Sequence, residues 1–118
     1  MMVLADTSVW IEHLRHGEPD LASLLSAGHV FIHPFVSGEL ACGNLRGRAA
    51  ILADLEALPR TATGSHKEVL TLIENRRLWG RGIGWIDAHL LVAALLSNCR
   101  LWTYDAKLAK VAADLGLC

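Results

Sequence analysis

A chain of 118 residues, 53% apolar and 19% charged, has the material for one domain that buries roughly two-thirds of its unfolded surface. It carries too little charge for a disordered segment. Its formal net charge of −1 excludes a protein that coats polyanions along its whole surface, so nucleic acid would have to be met by local patches such as Arg46/Arg48 and Arg76/Arg77/Arg81, although arginines on helices are more often simply solvated.

Val3 to Ala5 reads as a short buried strand that stops at Asp6. The spacing of Val9, Trp10, His13 and Leu14 predicts a helix over 7–16, closed by Gly17. Pro19 suits the first turn of a second helix, with Leu21, Leu24 and Leu25 on one face and Gly28 as its stop. A strand is expected over His29 to His33, ended by Pro34, then helices over Phe35 to Cys42 and Arg48 to Leu58. Arg60 to Ala62 is a weak candidate strand. Ser65 and Glu68 form a capping-box pattern that opens a helix over His66 to Leu78. Gly80, Gly82 and Gly84 loosen the approach to Ile86-Asp87, after which Leu90, Leu91, Ala94 and Leu95 mark the buried face of another helix. Leu101 to Tyr104 reads as a strand ended by Asp105, and Lys107 to Leu115 as a closing helix stopped by Gly116. No hairpin signal joins consecutive strands, which argues for a parallel sheet wrapped by helices in one compact domain spanning 1–118. Cysteines 42, 99 and 118 form no C-x-x-C pair, so neither a disulfide framework nor a thiolate metal site is expected and a reducing cytoplasm fits. The longest later apolar run, Leu90 to Leu96, falls far short of the roughly 20 residues a bilayer span needs.

Four acids stand out against this frame. Asp6, Asp87 and Asp105 each stand where a helix begins, and as N-caps each would contribute about 1 kcal/mol. Capping accounts for any one of them but does not require that Asp6 and Asp105 both follow strands, and so share the carboxyl edge where open α/β sheets bind ligands. Asp87 opens the helix that leads into the Asp105 strand. Glu39, three residues after Val36 and just before Leu40, lies beside or within the apolar face of its helix. A glutamate is rarely buried unless paired or bound to metal, and no Lys or Arg stands three or four residues away; the alternative is a rim glutamate with a solvated tip. Two carboxylates about 4 Å apart repel by roughly 4 kcal/mol even at an effective dielectric near 20, so a converged set calls for a cation. Oxygen-only ligands favour Mg²⁺ or Mn²⁺ over zinc, and the chemistry such an ion suits is phosphodiester hydrolysis. His13 and His16 lack a recognisable third ligand for zinc. Tryptophans 10, 79, 85 and 102 read as core or an oligomer contact, since no aromatic-rich strand motif supports base stacking.

Four segments in order then carry a family resemblance across essentially the whole chain: residues 3–10 (VLADTSVW), 34–40 (PFVSGEL), 82–91 (GIGWIDAHLL) and 101–105 (LWTYD). Together they resemble the PIN-domain ribonucleases, and within them the VapC-type toxins of toxin-antitoxin pairs. The resemblance implies a three-layer α/β/α domain with a central parallel sheet of four or five strands, the family's further C-terminal strand being the one in question. It carries the family's metal-site acids onto Asp6, Glu39, Asp87 and Asp105, and its auxiliary polar positions, which hold the acids or a bound water, onto Ser8 and Thr103. It further implies Mg²⁺- or Mn²⁺-dependent cleavage of RNA, a homodimer, and inhibition by a VapB-type antitoxin. Asp6, Asp87 and Asp105 are expected to bind the ion, directly or through water, with Glu39 orienting the attacking water. A haloacid-dehalogenase-type phosphatase would want a second aspartate where Ser8 stands. A receiver-like module would want a late lysine after a strand, where Asp105 stands instead. A PIN-like module that only binds its partner would be favoured by loss of an acid, and none is lost.

Overall fold

The computed structural model describes residues 1–118. Three short parallel strands, β1 (Val3–Ala5), β2 (Val30–Phe31) and β3 (Arg100–Trp102), form a sheet of order β2-β1-β3. Leu4 pairs with Phe31 on one side and Leu101 on the other. All three residues of β1 are buried although their side chains alternate between faces, so both faces of the sheet are covered at its centre. The cover comes from seven helices: α1 (Thr7–His16), α2 (Pro19–Ser26), α3 (Pro34–Cys42), α4 (Arg48–Glu56), α5 (His66–Arg76), α6 (Trp85–Ser97) and α7 (Ala106–Asp114). None is long and apolar enough to cross a membrane.

The sheet has three strands where four or five were expected. The segment after α4 touches the sheet only through a bridge between Ile32 and Arg60, with Ile32 N donating to Pro59 O and Thr61 N to Ile32 O. Both sides of that bridge are diverted at once. His33 turns away to cap α3 ahead of Pro34, and the amide of Ala62 donates to Ser97 Oγ at 2.8 Å. Beyond β3, the Leu101 amide donates to Leu117 O at 2.8 Å, a single bond that does not make a further strand. β2 is shorter than its apolar run because the His29 amide is taken by Leu24 O. β3 ends at Trp102 rather than Tyr104, because the Tyr104 amide leaves the ladder for Ser8 Oγ.

The main core unites 21 buried residues, among them Leu4, Val9, Leu90, Leu91 and Leu108 at 1% exposure or less. α6 runs through it. Ala88 to Ala94 are buried without interruption, so this helix has no single inward face until it emerges at Leu95 and Leu96, which are 40% and 49% exposed. Leu95 therefore does not belong to the core, contrary to its spacing. Leu91→Ala is expected to destabilise the chain by about 2–5 kcal/mol and Leu95→Ala by well under half as much, read from denaturant midpoints. Equal losses would contradict the emergence of α6 at Leu95.

Candidate metal centre

Asp6 continues directly from β1, and its amide still donates to Trp102 O at 2.9 Å. That bond places the start of α1 beside the end of β3. Its carboxylate is 6% exposed and is held at both oxygens. Oδ1 accepts from Val9 N at 3.2 Å, the N-cap bond of α1, and from Ser8 Oγ at 2.5 Å. Oδ2 accepts a short hydrogen bond from Thr103 Oγ1. Each hydroxyl gives its one proton to Asp6 and uses a lone pair elsewhere: Ser8 Oγ accepts from Tyr104 N at 3.1 Å and Thr103 Oγ1 from Asp105 N at 3.0 Å. Ser8 and Thr103 thus lace the turn after β1 to the turn after β3 through one carboxylate. The capping and site readings of Asp6 are compatible, since one oxygen caps the helix while the other faces Thr103.

Asp105 caps α7, its Oδ1 accepting from Lys107 N at 2.9 Å and Leu108 N at 3.0 Å. Its Oδ2 accepts no hydrogen bond, and the residue is exposed. Asp87 stands differently from expectation, at the third residue of α6 rather than at its cap, because the helix begins at Trp85. From there its Oδ2 reaches back to accept from Gly84 N at 3.1 Å, the return half of a capping box whose other half glycine has no side chain to supply. The approach to Gly84 is docked at Gly82, whose φ of +81° suits glycine and where a Cβ would collide with the side chain of Lys107. This close approach ties the loop before Asp87 to the helix opened by Asp105.

Glu39 lies on α3 with its side chain exposed, a rim position rather than a place within the apolar face. It is oriented by Thr7, whose Oγ1 donates to Oε1 at 2.9 Å. Sequence reasoning does not single out Thr7; its place beside Asp6 in the first segment is the available signal. His33 escapes it too. Its ring is buried at 1% exposure, and its Nδ1 caps α3 by accepting from Phe35 N at 3.0 Å. Burial and the neighbouring His89 lower its pKa to about 4, so it is a neutral cap.

The charge on Asp87 reports how the acids are grouped. Burial raises its pKa first. The Gly84 amide pulls the other way, and the negative charges of Asp105, Asp6 and Glu39 raise it further. One carboxyl therefore feels the other three. No three of the acids stand close enough together to form a ready-made cage for an ion. Such a set fits Mg²⁺ or Mn²⁺, because a small hard ion keeps several waters and takes only one or two carboxylates directly. The open Asp105 Oδ2, the Asp87 oxygen not engaged by Gly84 and the Asp6 oxygen facing Thr103 are the available donors.

Known proteins are similar to this chain over nearly its whole length. The PIN domain family model matches residues 3–114, and the chain belongs to the PIN domain family. Within that family it is similar to Ribonuclease VapC32 of Mycobacterium tuberculosis, in strains CDC 1551 and H37Rv alike, at 45% identity over 117 residues that cover 98% of this chain and 94% of the relative.

A raised carboxyl pKa has a consequence for stability. The folded state holds the Asp87 proton more tightly than the unfolded chain does, so its contribution is fully present below the unfolded pKa and is lost as pH rises through the raised folded value. Above that raised pKa, and without divalent ions, the charge on Asp87 is a cost to the fold. Asp87→Asn, which keeps an acceptor for the Gly84 amide, is expected to raise Tm at pH 7 in EDTA, with the gain shrinking as the pH is lowered into the acid range. A lowered Tm at pH 7 would contradict the grouping of the four charges.

Proposed function

We propose that this chain is a Mg²⁺- or Mn²⁺-dependent endoribonuclease acting as the toxin of a VapC-type toxin-antitoxin pair. What supports this reading is that Asp6 follows β1 and Asp105 lies just beyond β3 at the carboxyl edge of the parallel sheet, that Thr7 beside Asp6 holds Glu39, and that burial first and then the charges of Asp105, Asp6 and Glu39 raise the pKa of Asp87. The similarity to a ribonuclease over nearly the full length supports RNA as the substrate. In this reading Asp6, Asp87 and Asp105 hold the ion, directly or through water.

A bound divalent cation supplies positive charge to the phosphoryl oxygens and lowers the proton affinity of water. The chain's own residues do the positioning. Asp6 is the fixed corner, with Ser8 and Thr103 donating to it and preventing its carboxylate from turning. Asp105 keeps one oxygen on its helix and leaves the other free. Glu39, at the rim, holds one oxygen on Thr7 and offers Oε2 to a water, accepting its proton as the water oxygen bonds to phosphorus and the P–O bond to the leaving nucleoside breaks. A VapB-type antitoxin is the partner expected to cover these acids, and the active form is expected to be a cytoplasmic homodimer.

Asp6→Asn or Asp87→Asn is expected to abolish RNA cleavage with the far-UV circular dichroism unchanged; full activity in either folded variant would refute the assignment. Binding can be read without activity. At a metal concentration about a hundred times its Kd, the wild-type chain should gain roughly 2.7 kcal/mol of stability and Asp6→Asn much less. A melting temperature indifferent to Mg²⁺ and Mn²⁺ would count against the site.

A further inference from the structure

The segment between α5 and α6 carries glycine at 80, 82 and 84, a composition that favours a mobile loop. It is nevertheless fastened to α7 at two adjacent residues. Arg81 Nη2 donates to Asp114 Oδ2 at 2.7 Å, and only 29% of the Arg81 side chain is exposed. Gly82 lies so close to Lys107 that a Cβ there would stand 2.4 Å from Lys107 Cδ. Lys107 and Asp114 are two helical turns apart on α7, so both anchor points lie on one face. Asp114 is the last residue of α7, where the helix dipole disfavours a negative charge. Its arginine partner offsets that placement, and Arg81 is thereby withdrawn from the free cationic patch that Arg76 and Arg77 suggest in sequence. The anchors stand between two of the acids. Lys107 gives its amide to Asp105 Oδ1 at 2.9 Å while its stem covers Gly82. Just beyond Gly82, the Gly84 amide donates to Asp87 Oδ2 at 3.1 Å. A short path from Asp105 through Lys107, Gly82 and Gly84 to Asp87 thus runs through the fastened segment.

We propose that Arg81, Lys107 and Asp114 are positioning residues, a clamp that holds the 78–84 segment along α7 and so sets how the Asp87 carboxylate is presented relative to Asp105. The proposal rests on the metal-dependent ribonuclease reading for the role of the two acids, and adds what fixes one against the other. The backbone of α6 is anchored from Ala88 onward. What the loop controls is the carboxylate itself, because the one hydrogen bond Asp87 accepts comes from Gly84 and holds Oδ2 in place. If the loop lifts from α7, that amide moves and the remaining oxygen turns with it. An exposed ion pair contributes little to folding, and Arg60 with Glu56 is such a pair, its arginine 61% exposed and its partner four residues away. Arg81 and Asp114 differ in kind. They are less exposed, 33 residues apart in sequence, and join the loop before one acid to the helix opened by another.

The test has two readouts on the full chain: solvent exchange of the Gly84 amide in EDTA, followed by NMR, and Mn²⁺ affinity by calorimetry. Arg81→Gln and Asp114→Asn are each expected to speed Gly84 exchange and to weaken Mn²⁺ binding by roughly 3- to 10-fold, between the effect of an exposed ion pair and that of a hydrogen bond to a charged group. The shared sign separates a clamp from a field. Acting through charge alone, loss of the cation would strengthen Mn²⁺ binding and loss of the anion would weaken it. The double variant is expected to be no worse than either single one, and Arg81→Asp with Asp114→Arg to recover most of the wild-type values. Lys107→Ala should also speed Gly84 exchange, whereas Lys107→Met, which keeps the stem, should not. Arg60→Gln, which removes an ion pair away from the acids, should alter neither readout. Opposite signs for the two single variants, unchanged Gly84 exchange in folded Arg81→Gln, or no recovery in the charge swap would each overturn the proposal. A wild-type chain that binds no Mn²⁺ would refute the metal-dependent reading, and Gly84 exchange would then decide the clamp by itself.

Discussion

One carboxylate organises the carboxyl edge of the sheet in this molecule. Asp6 is the last point at which β1 is stitched to β3, through its amide and Trp102 O, and the first point at which the chain turns into α1. Because Ser8 and Thr103 each donate to Asp6 while accepting an amide from the turn after β3, side-chain and backbone hydrogen bonding form one closed set. A buried charge is tolerated when it is fully hydrogen-bonded, and Asp6 meets that condition within the chain. Its geometry is thus set by the sheet and not by any ligand. The other acids are arranged around this fixed corner with more freedom: Asp105 on a helix cap, Asp87 behind a glycine-rich loop, Glu39 at the rim.

Under the proposed function, the same arrangement sets fold and function against each other. Burial first, and then the charges of the three other carboxylates, raise the proton affinity of Asp87, and the Gly84 amide offsets this locally. The core tolerates the cost because it lies beneath the site rather than in it. α6 is buried all round from Ala88 onward, so the residue immediately after Asp87 is anchored at 1% exposure. A cost of this kind is common at sites that need their charge. Their dispersion suits an ion that retains water.

Much of this could be read from the sequence where local chemistry decides the outcome. α1 spans the residues its spacing and caps indicate, and the capping box at Ser65 and Glu68 is present with both hydrogen bonds. Asp6 was legible as the acid that ends a strand, and both Asp6 and Asp105 as helix caps, because their side chains bond the first amides of the helices they open. Legibility failed where tertiary partners decide. Strands of two or three residues owe their existence to pairing, so Arg60 could not be told from a strand until Ile32 and Ser97 had claimed the neighbouring groups. Asp87 was misplaced as the cap, which is Gly84 three residues earlier, because Trp85 and Ile86 are weak start signals beside an acid. The burial of α6 on all sides hid the exposure of Leu95. The ring contacts of Phe35 with His89, His89 with Trp85 and Trp85 with His66 were invisible because the rings come from α3, α5 and α6, with no shared local pattern.

The lacing of Asp6 is most directly tested by titrating Mn²⁺ calorimetrically into the wild-type chain and into Ser8→Ala/Thr103→Val. If the two hydroxyls fix the corner on which the metal site is built, the double variant stays folded and binds the ion about 10- to 100-fold more weakly, as when other supporting shells are removed. Equal affinity in the two proteins would show that Asp6 needs no such support, and the account of how this edge is organised would be wrong.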